Sequence, residues 1–388
     1  MIVISKSVYI FGAHTRAQNL YAYFKILFPE TKVEAFLYDN EESNPESIEG
    51  IPVLRLQELG ELQNETEVWL AVKSVAFDEI SNRLTERKAG NIVCVTPQVD
   101  NELRNLYVEK IFSAKGMGFD KVDRLWASTL GGQEDFQKFL ALNGDNMKKS
   151  VGDAIDSLPV VYMAKSVYDK PIRESFSASY IETVQAGAAL TEERIAELTD
   201  CMGENISRKN RQYCELTVLY WMWKNATASW VGLCHYRRHF ILTEEEMAWL
   251  PESGIDVVLP VPSICQPSIG DNYRKRHEAK DWEYLLNVLK EKYPEMYDLA
   301  VSLWETPEFG NLYYTCNMFI MKKQVMDVYC AWLFPILEEV ERFAGEKEDT
   351  YQNRYPGFLA ERLLTLYFVY YKDKYKIAYA DKRFIMGD

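Results

Sequence analysis

Cationic and hydrogen-bonding side chains are concentrated at His235-Tyr-Arg-Arg-His239, which contains two of the 4 histidines in the chain. The apolar run Trp230-Val-Gly-Leu-Cys234 comes directly before this cluster and predicts a short strand. Ligands of α/β sheets bind beyond the carboxyl ends of strands, and arginine presents a planar fork that fits phosphate oxygens. Because the chain carries a net charge of −14, this local excess of positive charge predicts an anion-binding site.

Each member of this cluster also has a purely structural explanation. Arg237 and Arg238 could pair with acids of this acidic chain, and His235 could be a histidine that its neighbours satisfy. Tyr236, which stands between His235 and Arg237, can stack on a base or a sugar.

Two other basic clusters occur in the C-terminal half, Arg208-Lys-Asn-Arg211 and Arg274-Lys-Arg-His277. Both have the patterns of a helix or a loop rather than of a strand end. Runs of charge are usually solvent-exposed faces, so these two clusters are equally consistent with a ligand site and with plain surface.

The composition limits the class of protein. A chain of 388 residues with 47% hydrophobic and 26% charged residues fits a globular protein of two domains. It has no apolar stretch long enough to span a bilayer and no signal-peptide layout at its N-terminus. The 7 cysteines contain no Cys-x-x-Cys pair, which predicts reduced thiols and a cytoplasmic protein. The negative net charge argues against broad nucleic-acid binding and against electrostatic adhesion to anionic lipid.

The first part of the chain alternates strand and helix patterns. This βαβ succession predicts a parallel sheet with strands at residues 8–11, 33–38, 68–72 and 91–95. The predicted organisation is a Rossmann-like domain at 1–112, a connector with some helix at 113–157, and a second α/β domain at 158–388.

The second domain has both strand and helix patterns. Strands are predicted at residues 158–164, 230–234, 256–260 and 316–321. Helices are predicted at residues 213–223, 280–292, 324–343 and 357–371. Thr191-Glu-Glu-Arg194 is typical of a helix start, with Thr191 as the N-cap and acids in the first turn.

Gly12 and Asp39 stand where a dinucleotide site has its first glycine and its ribose-binding acid. The turn reads Gly12-Ala-His-Thr-Arg-Ala17, however, so a Cβ stands where the backbone must approach a pyrophosphate. A structural or docking domain is therefore favoured over a full NAD site, with His14 and Arg16 as candidates for holding a small anion at the helix start. The segment resembles the small Rossmann-like domain attached to many sugar-modifying enzymes of surface polysaccharide synthesis.

Seven segments of the second domain resemble the DUF4422 family of capsular and exopolysaccharide biosynthesis proteins. Two of them are Val231-Gly-Leu-Cys-His-Tyr-Arg-Arg238 and Gly357-Phe-Leu-Ala-Glu-Arg-Leu-Leu364. The others lie at residues 184–190, 203–210, 213–225, 317–323 and 329–335, in the family's order. The resemblance covers residues 158–385 and implies a GT-A-like, nucleotide-sugar-binding α/β domain with glycosyltransferase activity.

One segment departs from the family pattern. Family members carry a Thr-His-Lys-like turn after the first strand of this domain, and this chain has Met163-Ala-Lys-Ser166. Lys165 could still face a diphosphate, but the role of a neutral histidine in this turn would be lost.

The resemblance implies that a sugar moves from a nucleotide donor, a UDP-sugar, to a glycan or lipid-linked glycan acceptor in capsular or other surface-glycan synthesis. It implies a cytoplasmic protein, in peripheral contact at most with the inner membrane face, that could form a homo-oligomer. Many GT-A enzymes neutralise the leaving diphosphate with a divalent metal held by Asp-x-Asp, and this chain contains no Asp-x-Asp. We therefore expect Arg237, Arg238 and His235 to supply much of that charge without a metal site, with a divalent metal as the alternative.

Inverting transfer also needs a carboxylate that takes the proton of the acceptor hydroxyl. Glu361 is the first candidate, Glu215 and Asp271 are weaker ones, and His235 is the second catalytic candidate. Arg362 either stabilises the charged form of Glu361 or holds the donor, with a plain surface pair as the structural alternative.

Asn317 opens a predicted strand, where its amide could fix a sugar hydroxyl or serve as a turn residue. The full set of predicted donor-binding residues is Lys165, Asn205, Lys209, Tyr236, Arg237, Arg238, Asn317 and Arg362. Asp271 and His277 are predicted for an acceptor or secondary site.

Two other functions remain open at this point. The second domain could bind a nucleotide sugar or a glycan without catalysis, as a subunit of a polysaccharide assembly complex. Alternatively, the first domain could act as an NAD-dependent sugar oxidoreductase, although the turn after Gly12 argues against it.

Overall fold

The computed structural model describes residues 4–39, 43–60, 62, 66–129, 158–172, 176–306 and 311–385. The chain divides into two compact units, Met1–Gly118 and Phe119–Asp388. The described part of the predicted connector includes the helix Val122–Thr129, which belongs to the second unit. The rest of the connector, from 130 to 157, lies outside the described residues.

The first unit is built around a six-stranded sheet. Its strands are β1 (Ser7–Phe11), β2 (Lys32–Tyr38), β3 (Ser47–Ile48), β4 (Ile51–Arg55), β5 (Glu67–Leu70) and β6 (Asn91–Cys94). They lie in the order β3-β4-β2-β1-β5-β6, and every pairing is parallel except that of β3 with β4. The helices that alternate with these strands are Thr15–Leu27, Phe77–Glu86 and Pro97–Ala114. The parallel sheet predicted from the βαβ pattern is therefore confirmed.

The second unit contains a nine-stranded mixed sheet and a two-stranded one. Its strands are β7 (Val160–Lys165), β8 (Ile181–Gln185), β9 (Leu198–Thr199), β10 (Trp230–His235), β11 (Arg238–Phe240), β12 (Val257–Pro260), β13 (Ser263–Ile264), β14 (Leu312–Tyr313), β15 (Phe319–Lys322), β16 (Ile377–Ala380) and β17 (Lys382–Phe384). The main path of the large sheet is β16-β12-β15-β10-β7-β8-β9, and β11 pairs with both β10 and β17. On this path only β15 is antiparallel to its neighbours, so the predicted α/β class is confirmed.

Helices of the second unit fill the chain between these strands. They are Val122–Thr129, Asn210–Tyr213, Leu216–Asn225, Glu244–Trp249, Ile269–Arg276, Ala279–Lys292, Pro294–Glu305, Lys323–Ala344 and Tyr355–Tyr370. The helices predicted at 280–292, 324–343 and 357–371 are confirmed with small shifts of their ends. Tyr355–Tyr370 is apolar almost all round and buried along most of its length, as expected of a helix in the core of a unit.

The carboxylate of Asp200 connects three segments of the second unit. It is 0% exposed and accepts hydrogen bonds from the backbone N–H groups of Gly187 and Ala188 and from the hydroxyls of Ser207 and Thr217. Gly187 has a φ of +69° and its missing Cβ would stand 2.6 Å from the Asn210 side chain, so only glycine fits there. Hydrogen bonds to one buried carboxylate therefore hold the segments around 184–190 and 203–210 together.

The helix predicted to begin at Thr191 does not exist, so that prediction is wrong. The buried side chain of Gln185 donates to the carbonyl of Glu193 and accepts from the N–H of Ile195. These bonds hold the segment in a non-helical form. The local preference of Thr191 for capping is overridden by a tertiary contact.

The strand predicted at 316–321 begins later, at Phe319. Cys316 and Asn317 have φ values of 72° and 49°, in the left-handed region that residues other than glycine seldom adopt. They form a turn that leads into β15. Across the described ranges, no helix is both long enough and apolar enough to cross a membrane.

Candidate functional site

The carboxyl end of β10 brings the His-Tyr-Arg-Arg cluster to the edge of the large sheet. β10 runs parallel to β7, and its last residue His235 lies opposite Ala164, next to the end of β7. The chain then reverses, so that His235 pairs with Arg238 at the start of β11. The two side chains are therefore neighbours at a strand end, where α/β sheets bind their ligands.

The turn at Cys316 and Asn317 connects this strand end to two carboxylates. The imidazole Nε2 of His235 donates a hydrogen bond to the Cys316 carbonyl. The N–H of Cys316 donates to Glu361 Oε1 at 2.8 Å, and Asn317 Nδ2 donates to Glu215 Oε1 at 2.8 Å. A left-handed residue other than glycine costs about 1–3 kcal/mol, and these hydrogen bonds hold the turn in place.

The bond to Cys316 identifies the donor nitrogen of His235. A carbonyl oxygen only accepts, so Nε2 carries a hydrogen. His235 therefore anchors the turn that carries the contacts to Glu361 and Glu215. Its arrangement fits a positioning residue.

A cavity of about 240 Å³ opens beside this turn. Its walls combine two cations, two carboxylates and two thiols with the first turn of the helix Tyr355–Tyr370, and the lining residues are Cys214, Glu215, His235, Arg238, Cys316, Arg354, Gly357, Phe358 and Glu361. Arginine guanidinium groups present paired donors that fit phosphate oxygens. The cavity therefore places Arg238 and Arg354 around one space, an arrangement suited to an anionic ligand.

The sequence pattern gave no reason to select Arg354. It stands just before the helix Tyr355–Tyr370, and its Nε donates to Cys214 Sγ at 3.0 Å across 140 residues of sequence. Burial raises the pKa of the Cys214 thiol to about 11, so this sulfur stays neutral at physiological pH. Arg354 thus keeps its full charge for a ligand in the cavity.

The two glutamates of the cavity differ in how they are held. Glu361 accepts from Cys316 N on one oxygen and from Arg362 Nη1 at 2.9 Å on the other. Glu215 accepts from Asn317 on Oε1. Glu215 therefore has the less occupied carboxylate of the two within the described structure.

Asp169 is a carboxylate near the site that the sequence reasoning missed. Its Oδ2 accepts from the N–H of Ser166 at 2.7 Å, just after β7. Burial raises the pKa of Asp169, and the Ser166 N–H together with the positive charges of His235, Lys165 and Arg237 opposes that rise. Lys165 and Arg237 therefore interact electrostatically with Asp169 near the strand end. Neither residue lines the cavity.

The remaining members of the cluster lie at the tip between β10 and β11. The guanidinium of Arg237 lies 5.6 Å from the ring centroid of Tyr236 and 4.9 Å from that of Phe384. Arg238 packs on the same Phe384 ring at 5.3 Å. Stacking on these rings keeps both arginines extended along the sheet edge.

Three other predicted residues lie apart from the cavity. The side-chain amide of Asn205 donates hydrogen bonds within its own loop, to the carbonyls of Cys201 and Gly203. Lys209 pairs with Glu341 at 2.7 Å. Ser268 caps the helix Ile269–Arg276 by accepting from the Asp271 N–H, and its hydroxyl donates to Asp271 Oδ2. Asp271 does not line the cavity.

Arg362 and His277 stand behind the cavity wall. The guanidinium of Arg362 is buried, bonds Glu361 and the Phe358 carbonyl, and lies over the Tyr313 ring at 4.9 Å. The His277 ring stacks on Phe358 with a centroid distance of 4.0 Å. Both residues support side chains that line the cavity.

No metal-binding group is apparent in the part of the chain that the structure describes. No three or more His, Cys, Asp and Glu side chains there are arranged to hold a metal ion. The charges available in the cavity are those of the two arginines and the two glutamates.

The first unit has only part of a dinucleotide site. Gly12 has a φ of +122°, and a Cβ there would stand 3.0 Å from the carbonyl oxygen of Ala71. The carboxylate of Asp39 forms an ion pair with Arg83, and Arg16 donates to the carbonyl of Val72 at 3.0 Å. Asp39 is thus already paired at the position where a ribose would need it.

Comparisons with known proteins agree with the fold. A solved apo structure of the bifunctional glycosyltransferase WbbM is 27% identical, with a TM-score of 0.50, over 59% of this chain and 46% of that one. The chain thus spans less than half the length of that protein. No curated protein matches it.

A family profile described as a domain of unknown function, DUF4422, matches residues 166–373, which is more than half of the chain. The matched region includes β8, β10, the turn at Cys316 and the helix Tyr355–Tyr370, and therefore every residue that lines the cavity. The resemblance predicted from seven short segments is confirmed, and the chain belongs to the DUF4422 family.

Proposed function

We propose that this protein is a glycosyltransferase that binds a nucleotide sugar, most simply a UDP-sugar, in the cavity at the end of β10 and transfers the sugar to a glycan. The observation that carries this proposal is the meeting of Arg238, Arg354 and Glu215 in one cavity. The similarity to a bifunctional glycosyltransferase supports the reaction class.

The two arginines fit a leaving diphosphate. When the bond between sugar and phosphate breaks, negative charge grows on the diphosphate, and donors fixed in advance stabilise it without reorganising. Arg238 is held by its strand and by Phe384, and Arg354 by Cys214. Fixed donors of this kind are what the transition state requires.

A carboxylate of the same cavity fits the proton transfer. The acceptor hydroxyl must lose its proton as it attacks the sugar carbon, and a carboxylate within hydrogen-bond reach can take it. Glu361 is committed to Cys316 and Arg362, so we assign this role to Glu215 and a supporting role to Glu361.

His235 and Asn317 act through the turn rather than on the sugar. His235 fixes the Cys316 carbonyl, and Asn317 fixes Glu215. His235 is therefore a positioning residue in this proposal and not the catalytic residue that the sequence suggested.

The direct test is release of UDP from a panel of UDP-sugars, with water and added oligosaccharides as acceptors. Release that depends on Glu215 supports the transferase. Tight nucleotide binding without release from any donor would instead favour a non-catalytic binding subunit. A change in NADH absorbance with sugar substrates would point to the first unit and against this proposal.

A further inference from the structure

A second cavity, of about 330 Å³, lies in the same unit and shares no lining residue with the first. Its walls come from the segment 239–246, the β16–β17 region, the chain before β7 and the connection between β7 and β8. The lining residues are Lys121, Asp123, Phe176, His239, Phe240, Ile241, Leu242, Thr243, Glu246, Ala380, Asp381 and Arg383. Its volume is within the range of small-molecule sites, about 300–1,000 Å³.

β11 separates the two cavities. Successive side chains of a strand point to opposite faces, and here Arg238 lines the first cavity while His239 lines the second. Side chains of the basic cluster therefore line two different cavities, because successive residues of β11 point to opposite faces.

His239 is the polar group of the second cavity that lacks a partner. It is 1% exposed, and its Nε2 has no hydrogen-bond partner among the described residues. Its Nδ1 lies 3.7 Å from Cys234 Sγ. Burial lowers the pKa of His239, so the ring is neutral at physiological pH.

Nε2 is the ring nitrogen of His239 that a ligand could satisfy, because Nδ1 is already in contact with Cys234 Sγ. Leaving a buried polar nitrogen without a partner is unfavourable. A hydroxyl both donates and accepts, so it can bond Nε2 in either tautomer of the neutral ring.

The rest of the wall is aromatic and rich in acceptors. The Phe176 ring lies 4.6 Å from the His239 ring, and both residues line the cavity. Lys121 lies 2.7 Å from Asp381 and 3.6 Å from Asp123, so its charge is already balanced by carboxylates. With Arg383, the wall carries two cationic side chains against the three carboxyl groups of Asp123, Glu246 and Asp381, so it does not favour a free anion.

We propose that this second cavity binds an uncharged sugar unit of a glycan. A sugar hydroxyl forms a hydrogen bond with His239 Nε2, further hydroxyls donate to the carboxylates of Asp123 and Asp381, and a C–H face of the sugar ring packs on the Phe176 ring. The site goes beyond the transfer reaction, because it shares no residue with the donor cavity and would hold a glycan on the other side of β11.

The test is saturation-transfer NMR of the full chain with methyl β-galactoside, methyl β-glucoside and N-acetylglucosamine at up to tens of millimolar. His239→Phe keeps an aromatic ring and removes the ring nitrogens, and His14→Phe in the first unit is the matched control. UDP binding is measured on the same samples, so that loss of sugar binding is distinguished from failure of the donor site.

We expect at least one neutral sugar to bind, His239→Phe to weaken it by about tenfold, and His14→Phe and UDP binding to stay unchanged. Should His239→Phe melt at a lower temperature than the wild type, Phe176→Leu replaces it, with weaker sugar binding again expected. The proposal is overturned if no neutral sugar binds the wild type, if the variants bind sugar as well as the wild type, or if only glucuronate and inorganic phosphate bind.

Discussion

Asn317 Nδ2 donates a hydrogen bond to Glu215 Oε1 at 2.8 Å, across 102 residues of sequence. The same amide donates to the Gly357 carbonyl at 3.1 Å, in the first turn of the helix Tyr355–Tyr370. One buried side chain therefore ties together the proposed base, the turn before β15 and the first turn of the helix Tyr355–Tyr370. The proposed chemistry depends on this connection.

Replacing Asn317 by Asp should break this connection. The carboxylate would repel Glu215 and would no longer donate to Gly357, which costs about 2 kcal/mol of unfolding free energy. UDP release should fall at least about tenfold, as expected from a displaced catalytic group. Denaturant unfolding and the release assay measure the two effects, with Asn287→Asp on an exposed helix position as the control. Equal activity of the two variants would contradict the role of Asn317.

Glu215→Gln and Glu361→Gln should differ in kind. Glu215→Gln removes the proton acceptor and should lower kcat by about 100-fold, with UDP binding and melting temperature near those of the wild type. Glu361→Gln places an amide N–H against Cys316 N–H or Arg362, so it should lower stability together with activity. Measuring kcat, UDP affinity and melting temperature separates them. An unchanged kcat in Glu215→Gln would return the role of the base to Glu361.

Asp200→Asn should destabilise the second unit. One oxygen that accepts from backbone N–H and hydroxyl groups becomes a donor, which leaves buried groups unpaired at a cost of about 2–3 kcal/mol. The exposed Asp373 offers the control, because Asp373→Asn changes the same charge at a position that is 89% exposed. Thermal unfolding of both variants is the measurement, and similar melting temperatures would refute the structural role of Asp200.

His277 should make stability fall in mild acid. Burial lowers its pKa to about 4 from an ordinary value of 6.5, with Arg362 and Arg276 acting in the same direction. Below about pH 6.5 the unfolded chain therefore binds a proton at His277 that the folded chain does not bind. The free energy of unfolding is highest above pH 6.5 and decreases as the pH falls toward about 4.

The comparison with His277→Phe isolates this contribution. Between about pH 7 and about pH 4.5 the wild type should lose about 1–2 kcal/mol more than the variant, after allowance for partial exposure. Urea unfolding at several pH values gives both slopes. Parallel slopes would mean that His277 does not contribute.

Much of the fold could be predicted because it follows from apolar periodicity. β10, the parallel sheet of the first unit and the helix Tyr355–Tyr370 have clear patterns of buried positions. The helix expected at Thr191 failed because a buried glutamine, Gln185, competes for the backbone from outside the local window. Local propensity contains no information about such a contact.

About half of the residues of the candidate site could also be predicted from the sequence. His235 and Arg238 follow a strand, and strand ends converge on one edge of a sheet. Arg354 and Asp169 gave no such signal, because their places depend on a contact to Cys214 and on a loop after β7. Lys209 shows the opposite case, a basic residue in a conspicuous cluster that pairs with Glu341 on the surface.

The central claim is that the cavity at the end of β10 binds the diphosphate of the donor, and titration calorimetry with UDP tests it most directly. We predict that UDP binds the wild type, that Arg238→Met and Arg354→Met each bind it at least about tenfold more weakly, and that the exposed Arg211→Met binds it like the wild type. No binding of UDP or any other nucleotide to the wild type, or equal binding by all three variants, would contradict the account.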